Sequence, residues 1–226
     1  MPFYGQLAWW SYPTSPMSTT VDALMPLSFL EAVRRVDSPD DLEAEFVPEL
    51  RNKRLGLSET VYAQIRRYSD AVKRQQRPGE DEAVGIAKLI GRRPDAEAVF
   101  REAGKYLARE AYLTIPVSKR QMLASFPSLV ARPLALRQIR WVAQRYLNAT
   151  VRRVGSFLVL KVERSVTVDS APPGVGCVYY EFSLRELLQL MSVSGNVEHV
   201  RCVGRGEGEC EWRANWRAAD APAAAE

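Results

Sequence analysis

The sequence predicts an α+β protein, with a helical N-terminal half followed by a small antiparallel sheet whose C-terminal β-hairpin packs on helices. Three observations carry that expectation. From residue 38 to residue 148, apolar side chains recur at helical spacing between Pro and Gly breaks. From residue 156 onward, β-branched and apolar residues alternate with polar ones in short runs. Two of those runs flank a glycine-rich turn, the pattern of a hairpin. With 226 residues, 46% hydrophobic and 26% charged, the chain is long enough for a real core and is neither a collagen, a disulfide miniprotein nor a wholly disordered chain.

Residues 1–37 read as an extended arm rich in proline and aromatics, including Phe3, Tyr4, Trp9, Trp10, Tyr12 and Phe29. The run Met1–Val21 is uncharged, but Pro2, Pro13, Pro16 and many hydroxyl side chains make it too broken and too polar to span a bilayer. No basic stretch followed by an apolar one marks a secretory signal. Rings of this kind suit the chain's own surface, a partner protein or a headgroup layer.

Residues 38–93 form a helical region. Ser38 is placed to cap a helix starting at Pro39, and Ser58 a second in which Val61, Ile65 and Tyr68 share a face. Arg77-Pro78-Gly79 stops that helix; a third runs from Glu80 to Ile90 and closes at Gly91. Residues 94–216 form the next unit. Its first helix carries Val99, Phe100, Ala103, Leu107 and Ala111 on one side, and further helices are expected over 118–125 and 133–148. Residues 156–168 read as one strand, 171–174 as a loop and 182–191 as a short helix with Leu184, Leu187, Leu188 and Met191 inward. Strands over 197–203 and 209–216 make the hairpin, and 217–226 is a tail with nothing to bury.

Charge is unevenly spread. The net charge is +4, yet residues 111–162 hold no Asp or Glu and nine bases: Lys119, Arg120, Arg132, Arg137, Arg140, Arg145, Arg152, Arg153 and Lys161. On the helix over 133–148, Arg137, Arg140 and Gln144 share one side, with Trp141 and Arg145 adjoining. Arg132, Arg137, Arg140, Arg145, Arg152 and Arg153 are therefore candidate contacts to an acidic protein surface or an anionic membrane face, with nucleic acid as a weaker alternative. A solvated helical face explains the same residues without a partner.

The one histidine and all three cysteines lie between residues 177 and 210, and Cys177, His199, Cys202 and Cys210 make a donor set suited to zinc. If Val203 pairs with Glu209, Cys202 faces Cys210 across the hairpin. On a regular strand, however, His199 and Cys202 point to opposite faces. Buried core thiols, a metal site and a redox-sensitive pair all stay open. An odd cysteine count does not make a disulfide framework and suits a reducing cytoplasm, so the chain is expected to be cytoplasmic and at most peripheral to the membrane. A lone histidine excludes a two-histidine catalytic site, and the glycine-rich turn at 204–208 joins two strands, so it lacks the helix start a phosphate loop needs. The sequence favours a protein that is not an enzyme.

The stretch Gly176-Cys177-Val178-Tyr179-Tyr180, a short helix to Met191, and then Val197 to Trp212 with Cys202 and Cys210 around a glycine turn resembles the end of the 4-vinyl-reductase domain. Ala103-Gly104-Lys105-Tyr106-Leu107-Ala108 is similar to that family's first long helix, so the resemblance covers residues 94–216. It implies a fold related to haem–NO-binding domains and to subunits of vesicle-tethering complexes, and it places Cys177, Cys202 and Cys210 at the family's cysteine positions. The bulkier Glu181-Phe182-Ser183-Leu184-Arg185 stands where the family usually carries glycines beside its pocket. By that resemblance the chain is a binding or assembly subunit docking through its aromatic arm and basic helices onto a larger complex, such as a photosynthetic or other membrane complex. The alternatives are a sensor or enzyme of tetrapyrrole or lipid chemistry holding a small hydrophobic ligand, and a DNA-binding regulator.

Overall fold

The hydrophobic centre is built around a helix that the sequence does not announce. In the computed structural model, which describes residues 19–38, 56, 58–126, 128–170, 172–191 and 195–215, α1 spans Leu24–Asp37. Every side chain from Leu24 to Val33 is buried. The expected extended arm is corrected there: from Leu24 to Val33 the helix is enclosed on all sides, and only its last turn, with Arg34 and Arg35, reaches solvent. Asp22 starts it, its carboxylate accepting the Leu24 N–H at 3.0 Å, and Arg34 and Arg35 occupy the last turn, where cations suit the helix dipole. Ser38 is the C-cap of α1, bonding back to the Arg34 carbonyl; the helix expected from Pro39, and the arm residues Phe3, Tyr4, Trp9, Trp10 and Tyr12, lie outside the described residues.

The next helices follow expectation closely. They are α2 (Glu59–Lys73), α3 (Glu80–Gly91), α4 (Ala96–Leu113) and α5 (Val117–Ser125). Ser58 caps α2 by accepting the Val61 N–H at 3.3 Å, and Val61, Ile65 and Tyr68 are its buried face. The next helix, α6, spans Ser128–Tyr146 and runs through Pro133, which was expected to start it. Proline five residues into the helix removes one N–H donor without ending it.

The sheet has four strands in the order β1-β2-β4-β3, all antiparallel: β1 (Thr150–Val154), β2 (Phe157–Val162), β3 (Val197–Arg201) and β4 (Cys210–Asn215). The expected single strand over 156–168 is shorter, since residues 163–170 turn away. Strand β1 was missed altogether: Arg152 and Arg153 hide its β-branched flanks, although the tight turn at Gly155–Ser156 is a hairpin signal. Leu158, Leu160 and Val162 of β2 stand opposite Ala214, Trp212 and Cys210 of β4, and all six are buried.

Helix α7 (Val178–Leu190) lies against both the sheet and α4. Its crossing with α4 is close because Gly104 has no side chain: a Cβ there would lie 2.3 Å from the Tyr179 carbonyl oxygen. Ser183 Oγ donates to the Gly104 carbonyl at 3.3 Å across the same crossing. A train of rings then ties the layers together. Phe29 of α1 contacts Phe100 of α4 and Tyr179 of α7, with centroids 6.0 and 4.9 Å apart. Tyr180 continues to Trp212 of β4 at 5.2 Å.

Candidate metal centre

The ring train ends on His199, which stacks on Trp212 at 4.8 Å with 12° between the planes. That stacking sets the imidazole beside three thiols. Cys177 is the residue before α7, Cys202 follows β3, and Cys210 opens β4. The donor atoms of Cys177, His199, Cys202 and Cys210 all lie within 4.8 Å of one another, and Cys177 Sγ is 3.5 Å from Cys202 Sγ.

An irregularity in the ladder makes the cluster. His199 pairs with Trp212, but Arg201 pairs with Glu211, so Val200 is one extra residue on β3. A regular strand would send His199 and Cys202 to opposite faces; the bulge restores them to one face, the face of Cys210 and Trp212. Beyond it, Cys202 faces Cys210 as the hairpin spacing predicts. The turn between them is well bonded. Val203–Arg205 form one turn of 3₁₀ helix, and Gly206 takes a φ of 86° that favours glycine. The Cys202 N–H donates to the Glu207 carboxylate, and the Val203 N–H donates to Cys210 Sγ at 3.4 Å. Two ends of the chain segment are thereby fixed around the sulfurs.

The polar balance of the cluster is incomplete. All three thiols are buried and free of disulfides. His199 Nε2 is buried and has no hydrogen-bond partner among the described residues, an arrangement that costs free energy unless something binds it. Interaction with Cys177, against burial and with help from the His199 ring and the Val203 N–H, holds the Cys210 thiol below its ordinary range. The same interaction with Cys210, together with burial, pushes Cys177 up. A bound cation supplies the charge that lets buried thiols ionise together.

The donor set fits zinc. A tetrahedral ion with Zn–S near 2.3 Å needs ligand atoms roughly 3.5–4 Å apart, and a cluster within 4.8 Å closes to that with small side-chain shifts. Cys₃His is among the sets that structural zinc uses. The spacing of the ligands in sequence carried the residue types but not this arrangement, which depends on the bulge at Val200.

The basic residues are dispersed by comparison. Arg137 and Arg140 are exposed on α6, Arg140 Nε donating to the Val151 carbonyl at 3.2 Å, while Arg152 and Arg153 are exposed on the edge strand β1. Arg132 sits earlier on α6. Arg145 is drawn inward to Asp22 at 3.6 Å, and Lys161 pairs with Glu209 and Glu211. At least two bases of the acid-free block, Arg145 and Lys161, are therefore paired with acids from outside it among the described residues. No helix among the described residues is long and apolar enough to cross a membrane.

No family model matches the chain, and no curated protein does. A solved structure of the Fe(II) unliganded H-NOX protein of K. algicida, in a mutant form, is similar over 88% of this chain and 98% of that one, with 10% identity and a TM-score of 0.37. That likeness is distant, and the site stands on its own geometry.

Proposed function

We propose that this chain is a non-catalytic binding module whose C-terminal part is organised by a zinc ion held by Cys177, His199, Cys202 and Cys210. The observation that carries it is the convergence of four donor atoms within 4.8 Å, one of them a buried nitrogen without a partner. Zinc would supply charge to ionise the buried thiols and a cross-link between the start of α7 and the hairpin. Four protein donors leave no open position for water or substrate, which suits a structural site rather than a hydrolytic one. In this reading the resemblance to 4-vinyl-reductase domains describes residues 94–216, and the module serves as a subunit that docks onto a larger assembly. Elemental analysis of protein purified without oxygen tests the centre: one zinc per chain is expected, and its loss in a Cys202→Ser, Cys210→Ser variant. Metal-free protein whose melting is unchanged by that double substitution contradicts it.

A second function is favoured by a cavity of about 550 Å³ between α1, α2 and α3, lined by Leu30, Val33, Val61, Ile86, Leu89 and Ile90. Its size and apolar walls suit a small hydrophobic ligand, making the module a sensor. Melting in the presence of tetrapyrroles and other apolar ligands tests this, with stabilisation expected for the native chain and abolished by Ile86→Trp, which fills the cavity. Unchanged melting with every ligand contradicts it.

A further inference from the structure

We propose that the corner formed by the end of α4, the whole of α5 and the exposed stripe of α6 docks on an anionic lipid bilayer. The proposal rests on where the chain exposes apolar side chains. Of the nine large apolar side chains exposed among the described residues, seven lie in the acid-free block: Leu113, Val117, Met122, Phe126, Trp141, Val154 and Phe157. The first five of these belong to the corner. An apolar surface that coincides with an uncompensated basic one marks an interaction site rather than scattered surface residues.

Local geometry concentrates the two properties. Helix α5 buries only Leu123 and leaves the rest of its length half or fully exposed. Lys119, Met122 and Phe126 follow one another at i, i+3 and i+7, on a single stripe. Lys119 then joins Arg137 and Trp141 around a hollow of about 370 Å³ at the α4–α5–α6 junction, whose lining includes no carboxylate. Arg120 lies over the Tyr112 ring at 5.6 Å. Lys119 and Arg137 are exposed and pair with no carboxylate among the described residues, so their charge faces outward, while Arg120 is half-buried against Tyr112.

The chemistry selects the occupant. Leu113, Val117 and Met122 are aliphatic and gain by entering a hydrocarbon boundary, whereas a nucleic acid offers them nothing to bury in. Trp141 is a side chain that settles at headgroup depth, Phe126 adds apolar area beside it, and the neighbouring cations attract acidic headgroups.

Sedimentation of the full chain with large vesicles tests the proposal. Vesicles of phosphatidylcholine alone are compared with equal mixtures of phosphatidylcholine and phosphatidylglycerol, at low and at high salt. The native chain is expected to sediment with the mixed vesicles, at least about tenfold more than with the neutral ones, and to be released by salt. Lys119→Glu with Arg137→Glu is expected to weaken binding at least about tenfold, as is Met122→Ser with Phe126→Ser, each with the native melting temperature because all four side chains are on the surface. Equal binding to neutral and acidic vesicles, no binding to either, or binding indifferent to both double variants overturns the proposal. So does salt-sensitive binding to duplex DNA or to an acidic polypeptide in place of the acidic vesicles.

Discussion

Two polar clusters in this molecule, one of carboxylates around an arginine and one of thiols around an imidazole, differ in whether their polar groups are satisfied. Asp37, Arg93 and Asp95 join the end of α1 to the start of α4 and are closed. Arg93 donates to both oxygens of Asp37, at 3.0 and 2.6 Å, and to both of Asp95, at 2.8 Å each. The Gly56 N–H adds a further bond to Asp37 at 2.7 Å. The cluster of Cys177, His199, Cys202 and Cys210 is open: its sulfurs crowd together and His199 Nε2 bonds to nothing described. A closed network holds the fold by itself, whereas an open one is completed by a ligand. Satisfaction of the polar atoms, together with soft metal-binding donors, sets the open cluster apart from the closed one.

The largest effect should come from the open cluster. Saturating zinc, at about a thousand times its dissociation constant, should stabilise the native chain by about 4 kcal/mol. Chemical denaturation with and without a chelator measures this, and Cys202→Ser with Cys210→Ser should abolish the difference. If the closed cluster is self-sufficient, its stability is independent of zinc. Arg93→Ala should then cost about 3 kcal/mol, with or without chelator, because it strands the largely buried Asp37 carboxylate. An Arg93→Ala effect that vanished in the chelated protein would break the contrast.

A smaller effect tests how rigidly α7 presents Cys177. Gly104→Ala places a methyl against the Tyr179 carbonyl, where rigid backbone must shift, and should cost about 2 kcal/mol by denaturation. Zinc affinity should fall with it if the α4–α7 crossing positions the first ligand. The pH dependence is smaller again. Arg93 holds the Asp95 carboxyl below its ordinary 3.8, so its contribution is complete above that value and is lost as pH falls through the lower, folded-state value. Asp95→Asn should flatten acid denaturation in that range. At the alkaline end, burial and the bond to Glu82 raise Tyr68 from 10.0 to about 12. The unfolded chain ionises first, so stability is present below pH 10.0 and declines towards about 12, a decline that Tyr68→Phe should reduce.

Much of this architecture was legible in the residues. Helical spacing located α2 to α4 and the inward face of α7, because each has a solvent side that breaks the apolar pattern, while flanking prolines bounded α5. Helix α1 was not legible for a local reason: Pro26 in its first turn and the proline-rich run before it imitate a broken arm, and its enclosed first turns carry no charged residue before Glu31. Strand β1 was hidden by two exposed arginines on an edge. The metal ligands were named from their types alone, but their convergence was not, since alternation argued that His199 and Cys202 diverge. One extra residue, Val200, reverses that conclusion. A bulge is a tertiary event with little local signal; Val200-Arg201 reads as ordinary strand.

Cobalt(II) substitution tests the metal centre most directly, because the ion reports both its geometry and its sulfur ligands. Titrating the reduced chain with cobalt(II) should saturate at one ion per chain, with thiolate charge-transfer absorption and the intense visible bands of tetrahedral coordination. Those bands should bleach as zinc displaces cobalt, and His199→Ala should shift them while leaving thiolate absorption in place. Cobalt that stays six-coordinate with no thiolate absorption would contradict a centre at Cys177, His199, Cys202 and Cys210.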